Sequence, residues 1–316
     1  MRSHFRLSSA AATACAVSGA TSMLTGMCAA QSFIAADYAT NSTYAGGWSA
    51  GQNGGFGFTA WSTNGTSGSD VQMRMDNSSP FNPLGLAWTL FNPSGTDLAS
   101  AGRGFAPLQV GQTFETVIDN PTETHFYRGY TIRLVSGTNN VTAGDASSVE
   151  SVAAYTFEYF SYGNWLIGDG TGDHATSLYN TNTAPAGARL AITLTGANTY
   201  HLSLTPLDNA AEAYTWDGTL KNSGPVNWIE YDFYNTASDP TNSATDFFIS
   251  SITIKPAPPP PKLSIKRVGA NVQVDWPLGT LLEASDVTGP WTTNKAASPY
   301  TVAPTAAKQF YRAQVQ

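Results

Sequence analysis

Apolar and polar residues alternate with a period of two along most of the chain. Between residues 71 and 76, for example, Val71, Met73 and Met75 alternate with polar side chains. A period of two places successive side chains on opposite faces of a β-strand, and Gly, Asn, Asp or Pro bounds each segment. The pattern predicts strands over residues 56–61, 71–76, 86–91, 113–118, 130–135, 152–160, 189–194, 200–204, 228–234 and 247–254.

Helical periodicity is nearly absent after residue 30, and the one helix-like stretch, Ala210–Ala213, is short. About a dozen strands without intervening helices favour two stacked antiparallel sheets over parallel βαβ units. Residues 263–316 repeat the pattern on a smaller scale and predict one small sandwich. We expect its core to hold Trp276, Trp291, Phe310 and Tyr311. The predicted fold class is therefore all-β.

Composition narrows the function classes. The 316 residues include 37 aromatic side chains (15 Phe, 14 Tyr and 8 Trp), and 12% of the residues are charged. This content is too aromatic for a disordered chain and too poor in charged residues for a coiled coil. With 15 Lys and Arg against 22 Asp and Glu, the net charge is −7. An acidic balance argues against a nucleic-acid partner.

Residues 1–30 have the organisation of a cleaved signal peptide. Arg2 and Arg6 form a positive start, residues 7–27 are small and apolar without a charge, and Cys28-Ala29-Ala30 precedes Gln31. The alternative is a short transmembrane anchor, but Ser, Thr and Gly dilute the segment, whereas a spanning helix needs ~20 strongly apolar residues. We expect a secreted protein, extracellular or at the cell surface, with no transmembrane segment in the mature chain.

Both cysteines, Cys15 and Cys28, lie inside this leader. The mature chain then has no cysteine, which excludes disulfides, thiol nucleophiles and cysteine-based zinc sites.

A proline-rich linker at residues 256–262 divides the mature chain. It separates a main domain, 31–255, from a C-terminal module, 263–316, and proline runs of this kind form stiff extended spacers. Residues 31–255 hold 7 basic and 19 acidic side chains, a net charge of −12, whereas residues 256–316 hold 6 basic and 3 acidic, a net charge of +3. The module is either a tether that attracts an anionic envelope or matrix, or a small soluble sandwich whose charge has no such role.

Particular motifs in both parts resemble known secreted proteins. The main domain, with Asp37-Tyr38, Gly46-Gly47-Trp48 and residues 53–58 (Asn-Gly-Gly-Phe-Gly-Phe), is similar to jelly-roll, concanavalin-like sandwiches. The segments 263–277 and 309–312 resemble C-terminal β-modules of large secreted proteins from environmental bacteria, notably the verrucomicrobial and planctomycete groups. The resemblance implies extracellular polysaccharide biology and carries over no catalytic residue.

A cluster of polar residues at 169–174 offers a candidate cation site. Asp169 and Asp173 flank glycines, and such carboxylates can present oxygens to Ca²⁺, with backbone carbonyls completing the shell. The alternative is a solvated hairpin turn, for which Asp-Gly is a common signal. No other cofactor is expected.

Two carboxylates on one predicted strand are the candidate catalytic residues. Glu230 and Asp232 project from the same strand face about 7 Å apart, a separation at which an acid and a base can flank a glycosidic bond. Concanavalin-like glycosidases use such a pair with a third Glu three residues further on, where this chain has Asn235. The alternative is an exposed polar face opposite Ile229, Tyr231 and Phe233.

Aromatic residues beside turn-rich or polar segments are candidates for stacking on a sugar, with the sandwich core as the alternative location. These are Trp61, Tyr162, Trp165, Tyr214 and Trp216. We therefore expect a secreted, non-enzymatic protein that binds a polysaccharide or cell-surface glycan, or forms part of an extracellular surface. The alternative is a glycoside hydrolase or polysaccharide lyase that uses Glu230 and Asp232.

Overall fold

The computed structural model describes residues 32–65, 72–77, 85–91, 97–119, 128–137, 153–160, 164–179, 187–235, 246–259 and 262–314, all within the compact unit Ser32–Gln316. The predicted signal peptide and Tyr162 lie outside these ranges. None of the helices in the described ranges has the length and apolar character needed to cross a bilayer.

Fifteen strands precede residue 256 in the described part of the chain. They are β1 (Ala35–Tyr38), β2 (Ser62–Gly65), β3 (Gln72–Asp76), β4 (Ala87–Phe91), β5 (Asp97–Gly104), β6 (Thr113–Asp119), β7 (Arg128–Ser136), β8 (Ala153–Phe160), β9 (Asn164–Asp169), β10 (Gly172–Tyr179), β11 (Ala188–Leu194), β12 (Thr199–Pro206), β13 (Tyr214–Thr219), β14 (Val226–Asn235) and β15 (Asp246–Lys255). Two short 3-10 turns, Ser42–Tyr44 and Ala210–Glu212, are the helical elements described.

These strands form two antiparallel sheets. One sheet has eight strands in the order β13-β12-β11-β6-β15-β4-β3, with β1 also paired to β15, and the other has seven in the order β10-β9-β8-β7-β14-β5-β2. Strands far apart in sequence are neighbours in both sheets, so hairpins alone do not generate the arrangement. The predicted all-β fold of two stacked antiparallel sheets is confirmed.

The core lies between the two sheets and follows the period-two pattern. On β14, Ile229, Tyr231 and Phe233 are buried on the inner face, and Ile252 and Ile254 of β15 are buried in the facing sheet. Full burial of such a side chain stabilises a fold by ~1.5–3 kcal/mol. The other face of β14 carries Trp228, Glu230 and Asp232, and the candidate site is built on that face.

The N-terminal segment adds an aromatic cluster to this core. Trp61 contacts Trp48 and Trp88 with ring centroids 5.1 Å apart in each pair, and Tyr44 lies edge-on to Trp88 at 5.2 Å. Edge-to-face packing of this kind is favoured by the charge distribution of aromatic rings.

Residues 56–61, predicted as a strand, form only isolated bridges, Phe56 with Ala36 and Phe58 with Phe105. Gly57 explains the difference. Its φ is +77°, a left-handed conformation that side chains disfavour, and a Cβ there would lie 2.5 Å from the Cβ of Ala35. The segment therefore passes against β1 in an irregular conformation.

Within residues 262–314 the structure describes six strands: β16 (Ser264–Val268), β17 (Asn271–Asp275), β18 (Thr280–Ala284), β19 (Thr292–Asn294), β20 (Tyr300–Val302) and β21 (Phe310–Gln314). They form two three-stranded sheets, ordered β16-β17-β20 and β19-β18-β21. Val274, Trp276 and Leu281 are the buried centre. Of the four predicted core rings, Trp276 is buried and Tyr311 packs against the centre, while Phe310 and Trp291 are half-buried and Trp291 stacks under Arg312. The domain boundaries themselves stay a prediction.

Candidate functional site

A line of polar residues and glycines crosses all seven strands of the smaller sheet on its outer face. The strand register aligns Gly102 with Glu230, Glu230 with Arg133, and Arg133 with Thr156. It continues from Gly102 to Ser62 at one end and through Gly168 to Asp173 at the other. We call this set the polar row: Ser62, Gly102, Glu230, Arg133, Thr156, Gly168 and Asp173.

The polar row has a buried centre. Six steps between neighbouring strands give it a length of about 29 Å. Arg133, Glu230 and Thr156 are buried, while Ser62 is half-buried and Asp173 is exposed. A Cβ on Gly168 would lie 2.2 Å from Oγ1 of Thr156 and 3.1 Å from Nζ of Lys221. The absence of a side chain at residue 168 is what lets these polar groups meet.

Glu230 is the chemically distinctive member of the row. Its side chain is 2% exposed, and Oε2 has no aligned hydrogen-bond partner among the described residues. Burial raises the pKa of Glu230 to about 7, against smaller lowering influences from the Arg133 guanidinium and the Trp228 indole. Near neutral pH this carboxyl group therefore exchanges a proton readily between its two forms.

Asp232 lies two residues further along β14 and is also buried. It forms an ion pair with Arg133 and accepts a hydrogen bond from the hydroxyl of Ser100 on β5. The two carboxyl groups thus share one face of one strand, as the sequence predicted. The alternative interpretation of an exposed polar face is wrong, because both side chains are buried.

The predicted cation site at residues 169–174 has a different construction. Oδ1 of Asp169 accepts hydrogen bonds from the backbone N–H and the hydroxyl of Thr171, at 2.7 and 2.6 Å. Oδ2 accepts from the Tyr200 hydroxyl at 2.9 Å and from the Trp216 indole at 3.2 Å. Burial raises the pKa of Asp169, but these hydrogen bonds outweigh it and the net shift is downward. Protein donors occupy both oxygens of this carboxylate.

Asp173 does not join Asp169. In the β9–β10 hairpin Asp169 pairs with Gly172 and Asp173 pairs with Gly168, so the two carboxylates project from opposite faces. The pair is therefore not arranged to share a calcium ion, which corrects the sequence-based expectation. Among the described residues, no group of three or more His, Cys, Asp or Glu side chains is placed to hold a metal.

Two of the predicted sugar-stacking rings are core residues. Trp61 is 2% exposed within the aromatic cluster, and Trp165 is 1% exposed and donates its indole N–H to the Tyr130 hydroxyl at 2.6 Å. Neither ring offers a free face, so the expectation is corrected for both. Trp165 lies on the buried face of β9, and Trp61 lies in the irregular segment that packs against the core.

Tyr214 and Trp216 are half-buried on β13 and pack against the core. The ring of Trp216 lies 4.3 Å from that of His174 at an interplanar angle of 32°, so His174 covers part of it. Trp216 is thus tied to Asp169 and His174 rather than presented to solvent. Tyr162 lies outside the described residues.

The residues that complete the polar row were not found from the sequence. Arg133 and Thr156 lie on strands whose apolar positions dominate the local pattern, and only sheet pairing aligns them with Glu230. A charged residue inside an otherwise apolar strand, as Arg133 is between Ile132 and Leu134, is the one signal that marks such a position.

Comparisons with known proteins give fold likenesses only. No protein family and no curated protein matches the sequence. Among solved structures, a legume lectin-like domain from Entamoeba histolytica is similar over 61% of this chain and 89% of that one, with 11% identity and a TM-score of 0.41. A Shewanella oneidensis protein of unknown function is similar over 70% and 84%, with 12% identity and a TM-score of 0.42. A sialidase is similar over 62% of this chain at 10% identity and a TM-score of 0.39, and the match spans 17% of the sialidase.

Proposed function

We propose that this is a secreted protein that binds a glycan through the polar row. The observation that carries the proposal is Glu230, a buried carboxyl group with an unsatisfied oxygen in a line of polar side chains. A buried polar atom without a partner costs free energy. A ligand that supplies the missing hydrogen bonds is the simplest reason for such a residue.

The groups of the row match the chemistry of a sugar. Each sugar hydroxyl both donates and accepts hydrogen bonds. In the row Glu230 accepts, Arg133 donates and the Thr156 hydroxyl does both, and Asp232 beside the row accepts. In a buried setting such bonds are stronger than in water.

Electrophoresis of the full chain through native gels that contain neutral or acidic polysaccharides tests binding. Thr156→Val removes one hydroxyl of the row and keeps the side-chain shape, and we expect it to weaken the retardation. Thr215→Val, on the exposed face of the other sheet, is the matched control and should leave retardation unchanged. If no polysaccharide retards the chain, or if both variants behave alike, the polar row is not a glycan site.

Acid catalysis of glycoside hydrolysis is the second candidate function. It is favoured by the pKa of Glu230, about 7, because a general acid works best when its pKa lies near the working pH. Glu230 donates the proton to the leaving oxygen in this scheme, and Asp232 is the partner carboxylate.

One variant separates the two functions. Glu230→Gln removes the transferable proton but keeps the size and hydrogen-bonding capacity of the side chain. We expect it to abolish release of reducing sugar and to preserve retardation, whereas Glu212→Gln, at an exposed glutamate, should change neither. Turnover that survives Glu230→Gln would contradict the residue assignment, and absence of turnover on every polysaccharide leaves binding alone.

The extracellular location is part of the same proposal. It rests on residues 1–30, and we expect N-terminal sequencing of the protein from culture medium or the cell surface to begin at Gln31. A protein that keeps residues 1–30 and stays in the cytoplasm would contradict it.

A further inference from the structure

Two edge strands of this chain carry opposite charge. Among the described strands, β16 is an outer strand of its three-stranded sheet, and β13 is an outer strand of the eight-stranded sheet. All five residues of β16 are exposed, and they include Lys266 and Arg267. On β13, Thr215 and Asp217 are exposed, Asp217 with 82% of its side chain in solvent.

The charge difference extends beyond the strands. Asp208 and Glu212, which precede β13, are also exposed, and no Lys or Arg occurs from residue 207 to 217. The parent segments have the same signs, since residues 31–255 carry a net charge of −12 and residues 256–316 carry +3. Opposite charges on two exposed edges favour their association and set their orientation.

We propose that β16 of one copy pairs with β13 of a second copy, in a head-to-tail contact. This inference is independent of the glycan proposal. An edge strand presents backbone N–H and C=O groups that an added strand can satisfy. β16 has five residues and β13 has six, of which the first four are open to an added strand. Pairing also covers Ile265 and Val268, which are 56% and 46% exposed.

The free part of β13 is its first four residues. The carbonyl of Thr219 already accepts a hydrogen bond from the N–H of Gly170 at 2.7 Å, so the hairpin turn after β9 closes the far end of the strand. Residues 214–217 remain for the incoming strand. Lys266 and Arg267 project from opposite faces of β16, so Asp217, which already contacts His201 at 2.7 Å, faces one of these two cations.

The same charges oppose a symmetric contact. Two β16 strands side by side place Lys266 and Arg267 near their own copies, and like charges across a strand pair are destabilising. The contact is therefore between two different surfaces. A pair of copies joined in this way still has one unpaired β16 and one unpaired β13. Further copies can therefore add at both ends until a ring closes or a filament forms.

Sedimentation velocity of the full chain over a range of concentrations tests the proposal. We expect species larger than the monomer that grow with concentration and disappear at high salt, because exposed charge pairs are screened. Lys266→Glu with Arg267→Glu should yield only monomer, and so should Glu212→Lys with Asp217→Lys. Lys295→Glu with Lys308→Glu, the same charge change at two exposed lysines elsewhere in the module, should leave association intact.

Mixing the two charge-reversed proteins is the decisive measurement. The acidic β16 of one then faces the basic β13 region of the other, so we expect the mixture to associate although each protein alone is monomeric. Hydrogen exchange of amides 264–268 should slow in the assemblies. A wild-type chain that is monomeric at all concentrations would overturn the proposal. Association that survives either reversal, or protection of 264–268 that does not depend on concentration, would do the same.

Discussion

The guanidinium of Arg103 lies 2.6 Å from Oδ2 of Asp37, and both side chains are 0% exposed. Arg103 also donates to the side chain of Asn53 and the carbonyl of Thr59, and Tyr44 donates to the same Asp37 oxygen. The pair thus joins β5 to the N-terminal segment, and the charged groups are surrounded by partners. These partners offset the cost of removing the two charges from water, and loss of either one would leave a buried charge uncompensated.

Loss of the cation from this pair should be costly. Arg103→Met leaves Asp37 charged and buried without its partner, and we expect the free energy of unfolding to fall by about 3–5 kcal/mol. Urea denaturation followed by tryptophan fluorescence measures the change. Arg189→Met is the matched control, because Arg189 is half exposed beside Glu115 and such surface pairs contribute about 0–1 kcal/mol. Equal losses for the two variants would refute the structural role of Arg103.

The pKa of Glu230 makes stability depend on pH in a defined direction. Its pKa is about 7 in the fold against an ordinary value of 4.5. The folded state therefore binds the proton more tightly, and the stabilisation is present below pH 4.5 and is lost as the pH rises through 7. At ~1.4 kcal/mol per pKa unit, the loss is about 3 kcal/mol.

Glu230→Gln should remove this dependence. We expect the variant to keep its stability between pH 4.5 and 8 and to exceed the wild type above pH 7, as measured by urea denaturation at each pH. Glu212→Gln supplies the comparison, since it alters an exposed carboxyl. A wild-type curve and a Glu230→Gln curve of the same shape would show that the group does not titrate near 7.

Gly218 is a position where even one methyl group is too large. A Cβ there would lie 2.3 Å from Oδ2 of Asp169 and 2.5 Å from the Tyr200 hydroxyl. We expect Gly218→Ala to destabilise the protein by about 1–3 kcal/mol through displacement of this hydrogen-bonded group. Thermal unfolding of the two variants measures the change. Gly46→Ala, where no atom lies within 4 Å of the new Cβ, should be nearly neutral. A neutral Gly218→Ala would mean that Asp169 and Tyr200 move without cost.

Trp165 and Trp216 should differ in their effects although both were predicted to stack on a sugar. Trp165→Ala opens a cavity in the core and should cost about 3–5 kcal/mol, whereas Trp216→Ala removes a half-buried ring and should cost less. When only the folded fraction of each variant is compared, we expect neither substitution to alter retardation in polysaccharide gels. Loss of retardation in folded Trp216→Ala protein would show that this ring takes part in glycan binding.

Much of the fold was predictable from local pattern. The strands predicted at 113–118, 189–194 and 228–234 occur within two residues of those bounds, because large apolar residues alternate there. β5 was missed because Ala99, Ala101, Gly102 and Gly104 give it no such alternation, yet it lies beside β14 in the sheet. At Gly104, for example, a Cβ would lie 3.3 Å from the side chains of Thr59 and Trp228, so a small residue fits there.

The site was less predictable because its members are brought together by register. Glu230 and Asp232 could be placed on one strand face from their spacing, but their burial depends on how the chain covers that face. Arg133 and Ser100 become their neighbours only through pairing of β14 with β7 and β5. The ring of Trp165 was misplaced for a related reason, since period two gives two faces without saying which one is inside. Trp61 was misplaced because its segment is irregular and packs against the core.

The position of β15 in its sheet also governs the order of events during synthesis. This strand is the last of the larger sandwich in the chain, yet it pairs with β1, β4 and β6, and Ala35 lies opposite Ile254. A ribosome releases the N-terminus first. The eight-stranded sheet therefore stays open, with the edges of β1, β4 and β6 unpaired, until residue 255 has emerged, so this part of the chain completes its fold after translation of the whole segment and not progressively.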